Sequence, residues 1–104
     1  MNPKKQAKLE QAGWKTGTVQ EFLGLSNAET QFIETKLALA GALKNQRLEA
    51  QLTQAQLAKR LQSSQSRVAK MEAGDPSVST DLLIKSLFEL GLTSDNLARV
   101  IAKT

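Results

Sequence analysis

The chain has 104 residues with no cysteine and no histidine, and its 14 Lys and Arg outnumber 10 Asp and Glu for a net charge of +4. One domain suits this length, since a single core is usual up to roughly 100–150 residues. The missing residue types exclude a disulfide scaffold, a thiolate or imidazole zinc site, and any Cys–His or Ser–His catalytic pair.

Ala, Leu, Gln, Lys and Glu dominate, and all favour helix. Asn2–Pro3 offers an N-cap before a proline at the first helical position, and Gly13 can end that first helix. Thr18-Val-Gln-Glu21 is a capping box, with Gly24 placed to close a short helix after it. A second box, Ser26-Asn-Ala-Glu29, opens a long run with apolar residues at Phe32, Ile33, Leu37, Ala40, Leu43 and Leu48, a helical period. The longest apolar stretch, residues 37–43, falls far short of the about 20 residues that cross a bilayer.

A third box, Thr53-Gln-Ala-Gln56, precedes Leu57, Ala58 and Leu61. Ser64 can cap the next helix, which turns Val68 and Met71 inward and stops at Gly74. Asp75–Pro76 signals a turn, and residues 77–80 look β-like but are too short to pair. Ser79 can cap a helix carrying Leu83, Ile84, Leu87 and Leu90, stopped by Gly91. Thr93 can cap a last helix with Leu97, Val100 and Ile101. The expected architecture is all-α: a five-helix domain over residues 27–104, behind an accessory segment, residues 1–26. No apolar stretch follows Lys4, Lys5 and Lys8, so no secretory signal is expected, and the expectation is a soluble cytoplasmic protein without membrane, metal or cofactor.

The positive charge is concentrated. Residues 1–20 and 51–74 each carry a net +3, while residues 21–50 and 75–104 each come to −1. Such patches suit a phosphate backbone, although surface charge for solubility explains them equally well on charge alone. Asp81–Lys85 and Asp95–Arg99 are i,i+4 pairs on solvated faces.

The informative stretch is residues 47–74. Two short helices joined by a tight turn bury little alone and must pack across each other at a steep angle, which defines a helix-turn-helix. Ala58 is small enough to let the second helix approach closely, with Val68 and Met71 filling the angle from the other side. Thr53-Gln54, Leu57-Ala58, Ser64-Gln65-Ser66, Glu72 and Gly74 resemble the pattern of the Cro/C1 (XRE) family of bacterial and phage repressors, over about residues 36–102. The resemblance implies a lambda-repressor-like fold that reads double-stranded DNA, with Arg47 and Glu72 as an ion pair bridging the first and third helices. Two positions depart from it. Relatives often have Gly where Gln62 stands and Val or Ile where Ser63 stands, so an altered turn is expected.

In that setting, residues at the start of the second helix face base edges in the major groove. Gln65 could pair with adenine, Arg67 with guanine or phosphate, and Ser66 with either, and Ser64 belongs to the same DNA-binding set. Gln54 would donate to a phosphate, as would Lys70, one turn beyond Ser66. Lys59 and Arg60 could add to the same field. For each of these the plain alternative is a solvated polar face.

Residues 13–26, Gly-Trp-Lys-Thr-Gly-Thr-Val-Gln-Glu-Phe-Leu-Gly-Leu-Ser, resemble the segment ahead of the helix-turn-helix in HigA-type antitoxins. That resemblance implies autorepression and a RelE/HigB-type toxin as partner. Trp14, Phe22 and Leu23 could face such a toxin, or clamp the segment to the core, the reading favoured for Trp14. The competing functions are therefore an antitoxin repressor acting as a homodimer on a palindromic operator, a free-standing regulator of the same fold, and an enzyme. The enzyme is the poorest of the three: there is no histidine, no Gly-rich phosphate loop and no G-x-S-x-G.

Overall fold

The computed structural model describes residues 23–103. The expectations for Asn2–Pro3, Gly13, the Thr18–Glu21 box, Trp14, Phe22 and the Lys4, Lys5 and Lys8 cluster lie outside those residues. The described chain forms five α-helices: α1 (Asn27–Glu49), α2 (Gln54–Arg60), α3 (Gln65–Ala73), α4 (Thr80–Glu89) and α5 (Ser94–Ala102). No strand occurs among the described residues, and none of these helices is long and apolar enough to cross a membrane. Contacts divide the chain into two compact units, with the division after Ile33, inside α1.

Helix starts follow the side-chain chemistry. The Ser26 hydroxyl accepts from the Glu29 amide (3.1 Å) while the Glu29 carboxylate accepts from the Ser26 amide (3.0 Å). Thr53 and Gln56 make the same reciprocal exchange at α2, at 3.1 and 2.8 Å. Ser64, Ser79 and Thr93 each cap the helix that follows by accepting from the amide three residues on. Each such cap satisfies a backbone donor that the helix itself leaves unpaired.

Four of the five helix ends share one geometry. After α1, α2, α3 and α4, two amides reach back to the last turn: Leu52 to Arg47, Ser63 to Ala58, Asp75 to Lys70 and Leu92 to Leu87 close the outer bond in each case. This Schellman arrangement requires a left-handed residue just past the helix. Gly74 (φ +69°) and Gly91 (φ +96°) supply it after α3 and α4, but Gln51 (φ +58°) and Gln62 (φ +57°) supply it after α1 and α2. At Gly74 a second constraint applies, because an added Cβ would lie 2.8 Å from Leu37 Cδ2.

The core lies in the unit Glu34–Thr104. Leu39 and Leu43 of α1, Leu57 and Ala58 of α2, Val68 and Met71 of α3, and Leu83 and Leu87 of α4 are all buried, with Val78 and Leu92 plugging in from the connections. Residues 77–80 thus hold no strand. Val78 is a core plug, and Ser79 caps α4. For α1 the expected inward residues are corrected in part. Ala40 and Leu43 are buried, but Phe32, Ile33, Leu37 and Leu48 are exposed, and Leu39 takes the inward position instead. The buried stripe is Leu39, Leu43 and Arg47, spaced four apart, so a basic residue stands where the apolar count expected Leu48.

Candidate nucleic-acid interface

Two short helices, joined by residues 61–64, pack against each other. The inner face of α3 is Val68 and Met71, both essentially inaccessible to solvent. Its outer face is Gln65, Ser66, Arg67, Ala69 and Lys70, all exposed. No acidic residue occupies the first turn of α3, so the positive end of its dipole is left uncompensated, as suits an anionic partner.

The base of α3 is fixed by a buried ion pair. Arg47 Nε donates to Glu72 Oε2 at 2.6 Å and Nη2 to Glu72 Oε1 at 3.1 Å, a two-pronged contact. Arg47 Nη1 donates to the Leu52 carbonyl at 2.8 Å, which ties the α1–α2 connection into the same knot. The hydrogen bonds to Glu72 hold the Arg47 pKa above its already high ordinary value, against the opposing effect of burial. The pairing expected between the first and third helices is therefore present, with both side chains nine-tenths or more buried.

The structure places the other site residues as follows. Gln65, Ser66, Arg67 and Lys70 share the exposed face of α3. Ser64 is engaged as the cap, accepting from the Arg67 amide at 3.2 Å, and its hydroxyl also lies 3.2 Å from that of Ser66. Gln54 is drawn inward: its Nε2 donates to Glu72 Oε1 at 3.2 Å. Lys59 and Arg60 are exposed in the last turn of α2, where a cation also suits the helix dipole. Beside α3 runs a shallow cleft of about 320 Å³, lined by Ser64, Ser66, Arg67 and Lys70 together with Ser77 and Val78.

Sequence reasoning missed that last contribution from the α3–α4 connection. There Asp75 Oδ1 accepts from the Ser77 hydroxyl (2.6 Å) and amide (2.8 Å). Those bonds, helped by the charges of Lys70 and Lys36, hold the Asp75 carboxyl below its ordinary pKa. The available signal is Asp75–Pro76 with Ser77 two residues on, since an aspartate side chain at a turn accepts from the residue two positions later.

The altered turn expected at Gln62 and Ser63 resolves into two separate effects. Gln62 itself adopts the left-handed backbone that glycine reaches most easily. Ser63 keeps its amide bond to Ala58 (2.7 Å), but its hydroxyl is buried with no hydrogen-bond partner.

A capped helix, a tight turn and a second helix with a polar outer face and a locked inner face define a helix-turn-helix protein of the DNA-binding regulator class. A family model described as a helix-turn-helix domain matches residues 38–100, more than half of the chain, and the chain belongs to that family. No curated protein and no solved structure gives a significant match.

Proposed function

We propose that this chain is a sequence-specific transcriptional repressor that binds a palindromic operator as a homodimer. One observation carries the reading: Gln65, Ser66, Arg67 and Lys70 project together from α3, while Val68, Met71 and the Arg47–Glu72 pair hold the other side of that helix rigid. A polar reader on a locked support suits base recognition, because direct readout needs its donors and acceptors held in register with base edges. Gln65 is the adenine-reading candidate, Arg67 a guanine or phosphate contact, and Lys70 a phosphate contact. Ser66 adds a hydroxyl, while Ser64 and Gln54 act first as supports, the former by capping α3 and the latter by bracing Glu72.

Gln65 and Lys70 fail differently in the test of this reading. Gln65→Ala costs about 1–3 kcal/mol on the selected operator and relaxes preference at one symmetric pair of positions, leaving unrelated DNA binding unchanged. Lys70→Ala weakens operator and scrambled duplex alike and lowers the salt slope by about one unit per lost contact. Salt titrations of both variants on both duplexes separate the two. If Gln65→Ala weakens both duplexes equally and keeps the base preference, α3 is not the reader.

The finer assignment, an autoregulating antitoxin of a RelE/HigB-type ribonuclease toxin, rests on the resemblance of residues 13–26. Co-expression with a small basic ribonuclease encoded beside this chain tests it: a stable complex and loss of ribonuclease activity support it, and independent purification of an active ribonuclease overturns it.

A further inference from the structure

A cleft of about 290 Å³ lies on the α2–α3 turn and the face of α4, apart from the exposed face of α3. Its volume is near the lower end of the roughly 300–1,000 Å³ typical of small-molecule sites. Leu61 and Leu82, both half-buried, supply an apolar surface, and Arg60, Lys85 and Glu89 supply charge. Ser63 lines the same cleft, and its buried hydroxyl has no partner. Neither Arg60 nor Lys85 is paired with a carboxylate among the described residues.

We propose that this cleft binds a small organic monoanion, a carboxylate on a short aliphatic body. Arg60, Lys85 and the Ser63 hydroxyl are three donors lining one small space, and together they suit a carboxylate head. Leu61 and Leu82 suit a short apolar body. Glu89 reduces the local charge to one net positive, which favours a monoanion over the more highly charged phosphate. An unpaired buried hydroxyl is costly, and a bound carboxylate removes that cost. The cleft borders the turn that sets the direction of α3, so on the DNA-binding reading its occupant is an effector. The binding itself does not depend on that reading.

The test uses the full chain, without DNA, so its outcome stands apart from the operator experiments. Hexanoate is titrated to tens of millimolar near neutral pH while the amide and methionine-methyl NMR signals are followed. Saturable shifts are expected at Ser63, Met71, Lys85 and Ser86. Acetate should bind more weakly, and hexylamine and inorganic phosphate at matched ionic strength should leave these signals in place. Ser63→Val, which fills the space and removes the donor, should abolish the response. Lys85→Gln, an exposed change, should weaken it about tenfold, the loss of one charge-assisted hydrogen bond. If Ser63→Val does not fold, Lys85→Gln decides. Non-saturating shifts, equal shifts from phosphate or acetate, or an unchanged response in the foldable variants would overturn the proposal.

Discussion

Arg47 meets two distant parts of the chain with one guanidinium, Glu72 through Nε and Nη2 and the Leu52 carbonyl through Nη1. Burying such a pair costs desolvation that the contact only roughly recovers, so its value lies in what breaking it exposes. Arg47→Ala should therefore destabilise by about 3 kcal/mol, since Glu72 is left charged and buried and a carbonyl is left bare. Glu72→Ala should cost a similar amount, because it also strands the Gln54 amide. Equilibrium urea unfolding measures both; a wild-type midpoint for Glu72→Ala would mean the pair is decoration. Arg47 stays protonated at any accessible pH, as every guanidinium does, and Glu72 only raises its pKa further. Acid sensitivity comes from the carboxylates instead. Asp75 and Glu29 have folded pKa values lowered by hydrogen bonds from Ser77 and Ser26 respectively. A lowered folded pKa means that the unfolded state binds protons first, so the stabilisation is present above the ordinary carboxylate range and is lost as pH falls through the folded value. Thermal midpoints should therefore drop below about pH 4, the ordinary carboxylate range. Asp75→Asn should flatten that drop; an unchanged acid limb would show that the Asp75–Ser77 turn contributes nothing.

At the scale of elements, helix beginnings and ends are written locally, and this is why most of them were legible. Ser26, Thr53, Ser64, Ser79 and Thr93 act within three residues of themselves, so spacing alone identified them. The inward face of α1 was not legible, because Phe32, Ile33, Leu37 and Leu48 satisfy the apolar period as well as Leu39 and Leu43 do. The choice rests on Arg47, whose partner is 25 residues away. The same reasoning covers Gln54, whose polar character suggested a phosphate but whose amide is used by Glu72, 18 residues on. The left-handed turn residues give a direct test of local logic. A non-glycine residue there carries a strain of about 1–2 kcal/mol, partly offset because glycine costs more backbone entropy to order. Gln62→Gly should therefore stabilise by about 0.5–1 kcal/mol, read by thermal or urea unfolding. Gly74→Ala should cost about 1–2 kcal/mol, since it meets both the φ penalty and the tip of Leu37. If Gln62→Gly destabilises, the Gln62 side chain makes a contribution larger than the backbone strain.

Across the whole molecule, a single recognition helix reads only a few base pairs, too few to mark a site in a genome. A two-fold dimer solves this by setting two such helices about 34–36 Å apart, one turn of DNA. For the proposed dimer we favour α5 as the pairing surface, with the segment of residues 1–26 as the rival. Helix α5 is strongly amphipathic, yet none of its residues is buried: Leu97 and Val100 are only partly covered by the core, and Ile101 stays 37% exposed. An apolar stripe on a final helix, half-used by its own core, is well placed to be completed by its symmetry mate. Because Ile101 is exposed, Ile101→Glu should leave the helical circular dichroism and the unfolding midpoint nearly unchanged. Sedimentation at micromolar concentration should shift from dimer to monomer, and operator affinity should fall by about tenfold or more as the second half-site contact is lost. Binding to a single half-site duplex should persist, because Ile101 is neither on the exposed face of α3 nor among the core residues that hold that helix. A dimer that survives Ile101→Glu would move the interface to another face. Loss of half-site binding together with dimerisation would instead show that α5 is needed to hold the reading helix itself.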